Sequence, residues 1–207
     1  MEPEKFHIGV IDLFAVILPG ALLAFYLRSL ALVGTFGWHL PAWSAQIEGW
    51  VLFAVIAYIL GHFIFLVGSL VDLAYDALRE KFVTRARNFP LQAALAVRTF
   101  HLPAGQFDER SINAFQWAKC RLALDYPVAF HHVQRFEADS KFFRSLFLVL
   151  VILAGWSLFT PTRWLAVVCA VFALLSLWRY GELRFKSTRQ AYWYLIALEA
   201  RRREQRP

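Results

Sequence analysis

The sequence has few of the residues from which catalytic and metal sites are usually built. Its 207 residues include two cysteines, Cys120 and Cys169, and six histidines, and none of them stands in a CxxC or HExxH pattern. The phosphate-cradling GxxxxGK[ST] loop and the GxSxG nucleophile elbow are also missing. We therefore expect no enzymatic activity, no cofactor and no bound metal.

The adjacent pair His131 and His132 is the strongest remaining metal candidate, and it fits poorly. Neighbouring side chains on a helix point about 100° apart, so the two rings cannot easily share an ion. The nearest acids, Glu137 and Asp139, do not follow either histidine at a spacing of three or four residues. No metal site is predicted here.

Charge is scarce in four long stretches, and this decides the fold class. Hydrophobic residues make up 59% of the chain, whereas a soluble domain has about 45–50%. A helix needs about 20 apolar residues to cross ~30 Å of hydrocarbon. The sequence therefore predicts an all-α polytopic membrane protein, a helical bundle of four transmembrane helices with helical cytosolic extensions. The four predicted spans are residues 8–27, 50–71, 145–159 and 164–178.

Lysine and arginine are distributed unevenly between the segments that join the spans. Residues 29–49 contain none, whereas residues 75–144 contain eleven and residues 179–207 contain eight. Because basic segments stay on the cytoplasmic side, both termini and the long loop are predicted to be cytoplasmic in a cell inner membrane. The net charge of +7 has the same origin, so membrane lipids rather than nucleic acid are the expected partners.

These patterns divide the chain into four predicted parts. Two transmembrane hairpins alternate with two cytosolic regions, the second of which is a basic amphipathic helix. In chain order the parts are residues 1–74, 75–143, 144–178 and 179–207.

Local signals indicate where the cytosolic helices begin. Asp108 is the expected N-cap of one helix, and Pro127 suits the first turn of the next. That second helix meets no breaker before the third apolar run, so the third span should begin inside the cytosol. The fourth run continues into the tail in the same way, with Trp178 and Tyr180 at the inner boundary. The apolar stripe of the tail needs a partner, which is the cytosolic helices of the same chain, a second subunit or the membrane surface, and we favour the first two.

Polar side chains recur along one face of the second span. Their steps of four, seven, three and four residues place them on one side of a helix. Three interpretations stay open: hydrogen bonding between helices, a hydrated pathway or gate, and catalysis. In the first two, we expect His62 to face the bundle or a subunit interface. The stripe consists of Tyr58, His62, Ser69, Asp72 and Asp76.

Charges of opposite sign flank the inner ends of the spans. Acids lie on the first pair of spans and bases on the second pair, which predicts a ring of ion pairs that fixes neighbouring helices. A proton or cation relay is the alternative. The acids are Asp12 and Asp72, and the bases are Lys141, Arg144, Arg179 and Arg184.

Two further features concern the ends of the membrane helices. Pro19 and Gly20 predict a kink in the first span, because proline removes a backbone hydrogen bond, and the kink is either structural or a hinge. The tail residues Arg201, Arg202 and Arg203 are predicted to bind anionic lipid headgroups, or else to form a solvated end.

The continuity of the helices across the inner boundary predicts a function. We expect a homo-oligomeric sensor or effector that couples a cytosolic protein or small-molecule partner to a change in the membrane. A pore-forming or membrane-disrupting effector of antiviral defence has this shape, by analogy alone. The alternatives are a non-catalytic membrane anchor or assembly subunit for a soluble complex, and a small transporter.

Overall fold

The computed structural model describes residues 15–28, 47–82, 89–101, 113–161 and 163–204. Over these ranges the regular structure is entirely helical, which confirms the predicted all-α class and the helical bundle. The six helices are α1 (Ala15–Arg28), α2 (Ile47–Phe82), α3 (Phe89–His101), α4 (Ala114–Asp125), α5 (Pro127–Ser157) and α6 (Arg163–Glu204).

Two of the described helices are long and apolar enough to cross a membrane: α2, over Ile47–Ala77, and α6. Only 22% of the most apolar window of α2 and 28% of that of α6 is buried, whereas an apolar helix in a soluble core is buried all round. The first predicted span is described only from Ala15 onward, as a shorter apolar helix. The structure thus supports two spans, and the four-span topology stays a prediction.

The helix boundaries follow the proline signals. α5 begins at Pro127 and runs without a break into the third apolar run, as predicted. Pro90 lies in the first turn of α3, where its missing N–H costs no hydrogen bond. α6 likewise continues unbroken from the fourth apolar run into the basic tail.

The start of α4 differs from the expectation. Its N-cap is Asn113, whose side-chain oxygen accepts a 2.9 Å hydrogen bond from the Phe115 N–H. Asn113 has an extended backbone, with φ −61° and ψ 133°, so a helix capped at Asp108 does not continue through it. Asp108 itself lies outside the described residues.

The chain divides into two compact units, each made of two separate chain segments. We call Met1–Ala74 with Ala138–Gly181 the apolar unit, and Tyr75–Glu137 with Glu182–Pro207 the polar unit. Helices α2, α5 and α6 each contribute residues to both units.

In the apolar unit, α1 and α2 touch backbone to backbone. A Cβ atom added to Gly20 would lie 1.9 Å from the Ala57 carbonyl oxygen, and one added to Gly61 would lie 2.2 Å from the Val16 carbonyl oxygen. Pro19, next to this crossing, is fully buried. Small residues at a helix crossing allow this close approach, which is how helices pack within a bilayer.

The rest of the apolar unit packs a small core and leaves large apolar surfaces open. α2 exposes side chains such as Phe63, Leu66 and Leu70, and α6 exposes Val167 and Leu174. Apolar surface of this extent requires lipid or another protein to cover it. The core itself consists of Leu23, Ile64, Val149, Leu150, Leu153, Cys169 and Ala173.

The polar unit has its own core, in which the end of α6 packs against α3, α4 and α5. Tyr192 and Leu195 of α6 lie in one cluster with Leu122 of α4 and Val133 of α5. The apolar stripe of the tail therefore packs against helices of the same chain, which is one of the two partners that we favour from the sequence. The other buried members of this cluster are Ala94, Ala114, Ala118, Ala129 and Ala191.

Candidate functional site at Asp72 and Arg144

In the apolar unit, one carboxylate joins three helices. Asp72 lies on α2, and its Oδ2 accepts a hydrogen bond and ion pair from Nη1 of Arg144 on α5. Its Oδ1 accepts a 2.5 Å hydrogen bond from the Tyr180 hydroxyl on α6. With Phe65 and Gly68 of α2, these residues form what we call the Asp72 cluster.

Arg144 is the most deeply buried charge of the cluster. Its side chain is 4% exposed, against 24% for that of Asp72. The guanidinium lies 4.6 Å from the ring centroid of Phe65, and its Nη2 donates to the Phe65 carbonyl oxygen at 3.4 Å. Its Nε is buried without a hydrogen-bond partner within the described ranges. Because an unpaired buried charge is strongly destabilising, the buried guanidinium of Arg144 requires the carboxylate of Asp72 as its counterion.

Gly68 provides the space in which the guanidinium lies. A Cβ atom at Gly68 would be 2.8 Å from Nε of Arg144 and 3.3 Å from its Cζ. Any side chain at this position would push against the guanidinium. The glycine is therefore part of the cluster, although it contributes no polar group.

We expect Gly68→Ala to displace the guanidinium of Arg144 and to stretch its bond with Asp72. The free energy of unfolding should fall by about 1–2 kcal/mol, as for other overpacked sites. Thermal unfolding in detergent measures this, with Gly155→Ala as control because no atom lies within 4 Å of its added Cβ. A Gly68→Ala protein as stable as the parent would contradict the placement of Arg144 against this glycine.

The cluster is suited to holding helices together. Both carboxylate oxygens of Asp72 accept hydrogen bonds, and its charge offsets that of Arg144. Among the residues that the structure describes, no three His, Cys, Asp or Glu side chains lie close enough to hold a metal ion. Of the two interpretations of the inner charges, this geometry favours ion pairing over a relay at this position.

A second acid–base pair belongs to the polar unit. Nη2 of Arg184 on α6 donates to both carboxylate oxygens of Asp76 on α2, at 2.9 and 3.2 Å. The guanidinium also lies 5.7 Å from the ring centroid of Tyr75. The Asp76 side chain is 54% exposed, so the pair should contribute only about 0–1 kcal/mol.

The remaining members of the predicted ring are placed as follows. Lys141 is half-buried on α5, and Arg179 is exposed on α6. Asp12 lies outside the described residues. The structure thus joins Asp72 with Arg144 and Asp76 with Arg184, and a closed ring of all the predicted charges stays a prediction.

The predicted polar stripe of α2 is split between two environments. Asp72 is held in the cluster, whereas Tyr58, His62 and Ser69 are exposed on the outside of the single chain. His62 Nδ1 lies 3.0 Å from the Tyr58 carbonyl oxygen, and the Ser69 hydroxyl donates to the Leu66 carbonyl oxygen at 2.6 Å. Within the chain, His62 therefore does not face the bundle, which leaves a subunit interface as the predicted alternative.

The arginines of the tail are not equivalent. Arg202 donates to Asp125 of α4 at 2.8 Å, and Arg203 lies 3.7 Å from Glu199 one turn earlier on α6. Arg201 is exposed. Of the three residues predicted to bind lipid headgroups, Arg202 thus pairs with a carboxylate on another helix and Arg203 with one on its own helix.

Arg202→Ala should destabilise the polar unit by about 1 kcal/mol, because it removes a charged hydrogen bond between α6 and α4. Arg201→Ala is the matched control and should change stability little. Amide hydrogen exchange near the end of α6 measures both. Equal protection in the two variants would show that the bond to Asp125 does not hold the helix end.

The role of Tyr180 is the main feature of the site that sequence reasoning missed. Its position predicted an interfacial aromatic, but it is 1% exposed and donates to Asp72. The signal lies in the spacing: Tyr180 and Arg184 are one turn apart on α6, as Asp72 and Asp76 are on α2. Two matching pairs at equal spacing favour contact between the two helices.

No family model, curated protein or solved structure matches this chain. What the chain does must therefore follow from its own helices and the side chains that join them.

Proposed function

We propose that the chain is an integral protein of the cell inner membrane, with four spans and both termini cytoplasmic. It acts as a homo-oligomeric sensor or effector. The polar unit binds a cytosolic protein or small molecule, and the apolar unit responds by repacking its helices or by opening a pore. A membrane-disrupting effector of antiviral defence is one form of this function.

The observation that carries the proposal is the length of α6. Its 42 residues extend about 63 Å, roughly twice the ~30 Å of hydrocarbon in a bilayer. The first half exposes apolar side chains such as Val167 and Leu174, and the second half packs Tyr192 and Leu195 into the core of the polar unit. An unbroken helix with one end in each environment can carry a displacement from one to the other.

The apolar surfaces of α1 and α5 support the two remaining spans. α1 exposes Leu18 and Phe25, at 50% and 64%, and the apolar half of α5 exposes Val151 and Ile152, at 45% and 50%. These side chains would be covered by acyl chains in a bilayer. α5 is also about 46 Å long over its 31 residues, more than one bilayer crossing requires.

In this proposal the Asp72 cluster stabilises the packing of α2, α5 and α6 before the partner binds. Asp72 connects α2, α5 and α6 through Arg144 and Tyr180. Separating these partners leaves a buried guanidinium without its counterion, so the helices stay in place until the polar unit receives its partner. Switching proteins commonly use an arrangement of this kind, with two discrete packings.

Release of a trapped dye from liposomes tests the proposal. Purified protein is reconstituted into vesicles loaded with a fluorescent dye, and release is followed with and without cytosolic extract. We expect release only when the extract is present, and release without extract from Asp72→Asn, in which the cluster is weakened. The alternative of a membrane anchor predicts no release under any condition, and that result would contradict a pore-forming or membrane-disrupting effector.

A further inference from the structure

The exposed polar side chains of α2 have hydrogen-bonding capacity that the part of the chain described by the structure does not use. A carbonyl oxygen only accepts, so His62 Nδ1, 3.0 Å from the Tyr58 carbonyl oxygen, carries the hydrogen and donates. In the neutral imidazole, the other nitrogen, Nε2, is then an acceptor. The hydroxyl of Tyr58, a side chain that is 45% exposed, is a donor close by.

Lipid cannot satisfy these groups. His62 lies near the middle of the apolar segment Ile47–Ala77, and Ile59, Phe63 and Leu66 around it are exposed. An unsatisfied polar group in hydrocarbon costs several kcal/mol. The position therefore requires a donor from protein or water, and a second copy of α2 supplies one of the correct chemistry.

Symmetry brings donor and acceptor to the same depth. The His62 ring lies against the Tyr58 ring, with ring centroids 4.3 Å apart, so the two rings lie at nearly the same depth. Two copies inserted in the same direction and related by a two-fold axis place both residues at equal depth. We propose that α2 pairs with α2 of a second copy, the Tyr58 hydroxyl of each donating to His62 Nε2 of the other. This pairing rests on the homo-oligomer of the proposed function and identifies its interface.

The residues around this pair form a continuous seam, which we call the α2 seam: Val55, Tyr58, His62, Leu66 and Ser69. Their steps of three, four, four and three residues are the spacing with which two helices pack side by side. All five side chains are exposed in the single chain. The Ser69 hydroxyl already donates to Leu66, so it enters the interface satisfied, and its small size allows close approach.

Disulfide cross-linking in native membranes locates the interface. In a chain with Cys120→Ser and Cys169→Ala, a single cysteine is placed on the seam by Val55→Cys or Ser69→Cys. Val67→Cys is the control, because Val67 is 50% exposed and lies about 160° around the helix from Ser69. We expect covalent dimers from both seam positions and none from the control. Equal dimer from Val67→Cys, or none from either seam position, overturns the proposal.

Self-association measured by energy transfer between labelled copies in liposomes tests the hydrogen bonds. Tyr58→Phe should raise the dimer dissociation constant about tenfold, because it removes two symmetry-related bonds of about threefold each. His62→Leu should raise the dissociation constant by a similar factor. The double variant should raise it no further than either single variant, since all three remove the same hydrogen bonds. Val67→Ala is the control and should leave the constant unchanged.

The outcomes separate this interface from the function on which it rests. An unchanged dissociation constant in Tyr58→Phe means that lipid or water faces His62, and it overturns the interface alone. A monomeric protein that resists extraction from the membrane by alkaline carbonate overturns the interface and the homo-oligomer on which it rests, and leaves the membrane insertion standing. Release of the parent protein by carbonate instead contradicts the membrane insertion that the proposed function requires.

Discussion

Asp72→Asn should lower the free energy of unfolding in detergent by about 3 kcal/mol, the range in which one partner of a buried ion pair is lost. The asparagine keeps the shape of the side chain but removes the charge that offsets Arg144, whose side chain is 4% exposed. The Tyr180 hydroxyl still has an oxygen to donate to, so the loss should reflect the guanidinium. Chemical or thermal unfolding followed by circular dichroism measures it.

Two companion variants show whether burial is the cause. Asp76→Asn removes the same charge one turn later, from a pair whose carboxylate side chain is 54% exposed, and should cost at most about 1 kcal/mol. Asp72→Asn combined with Arg144→Leu should recover much of the loss, because no buried charge is left unpaired. If Asp72→Asn and Asp76→Asn unfold alike, the cluster does not stabilise the bundle.

Gly20→Ala should destabilise the apolar unit by about 3 kcal/mol, at the upper end of the range for overpacked positions. The added Cβ would lie 1.9 Å from the Ala57 carbonyl oxygen and 2.6 Å from the Gly61 nitrogen. Both atoms belong to the backbone of α2, so no side chain can rotate away and α1 must move instead. Thermal stability in detergent and protease resistance of the α1 segment report the change.

The matched control is Gly155→Ala on α5, where no atom lies within 4 Å of the added Cβ. Because alanine favours the helix over glycine, this variant should match the parent or gain about 0.5–1 kcal/mol. Gly61→Ala should resemble Gly20→Ala, since its Cβ would meet the Val16 carbonyl oxygen at 2.2 Å. A stable Gly20→Ala protein would contradict backbone contact at this crossing.

The sequence predicted the helices well because their signals are local. Pro127 suits the first turn of a helix, and α5 begins there. The lack of a helix breaker predicted that α5 continues into the third apolar run and that α6 continues from the fourth apolar run into the tail. Both helices do so. The cap of α4 was misplaced because Asp108 and Asn113 are both good N-caps, and spacing alone does not rank them.

Contacts between helices were harder to predict, because they depend on how each helix is rotated. The stripe places Ser69 and Asp72 on one face, yet steps of about 100° per residue leave them about 60° apart. That difference is enough to turn Asp72 toward Arg144 while Ser69 stays outside. Which base would pair with which acid, and the burial of Tyr180, depend on this rotation. The equal one-turn spacing on α6 and α2 favours contact between the two helices but does not give their rotation.

The native cysteines allow a direct test of the proposal that the chain spans the membrane with its polar unit in the cytoplasm. Cys120 is exposed in the polar unit, whereas Cys169 is buried in the apolar unit. A membrane-impermeant maleimide should label the parent protein in inside-out vesicles and leave it unlabelled in right-side-out vesicles, and Cys120→Ser should abolish the signal. Labelling of Cys120 from the outer side of intact right-side-out vesicles would contradict the account.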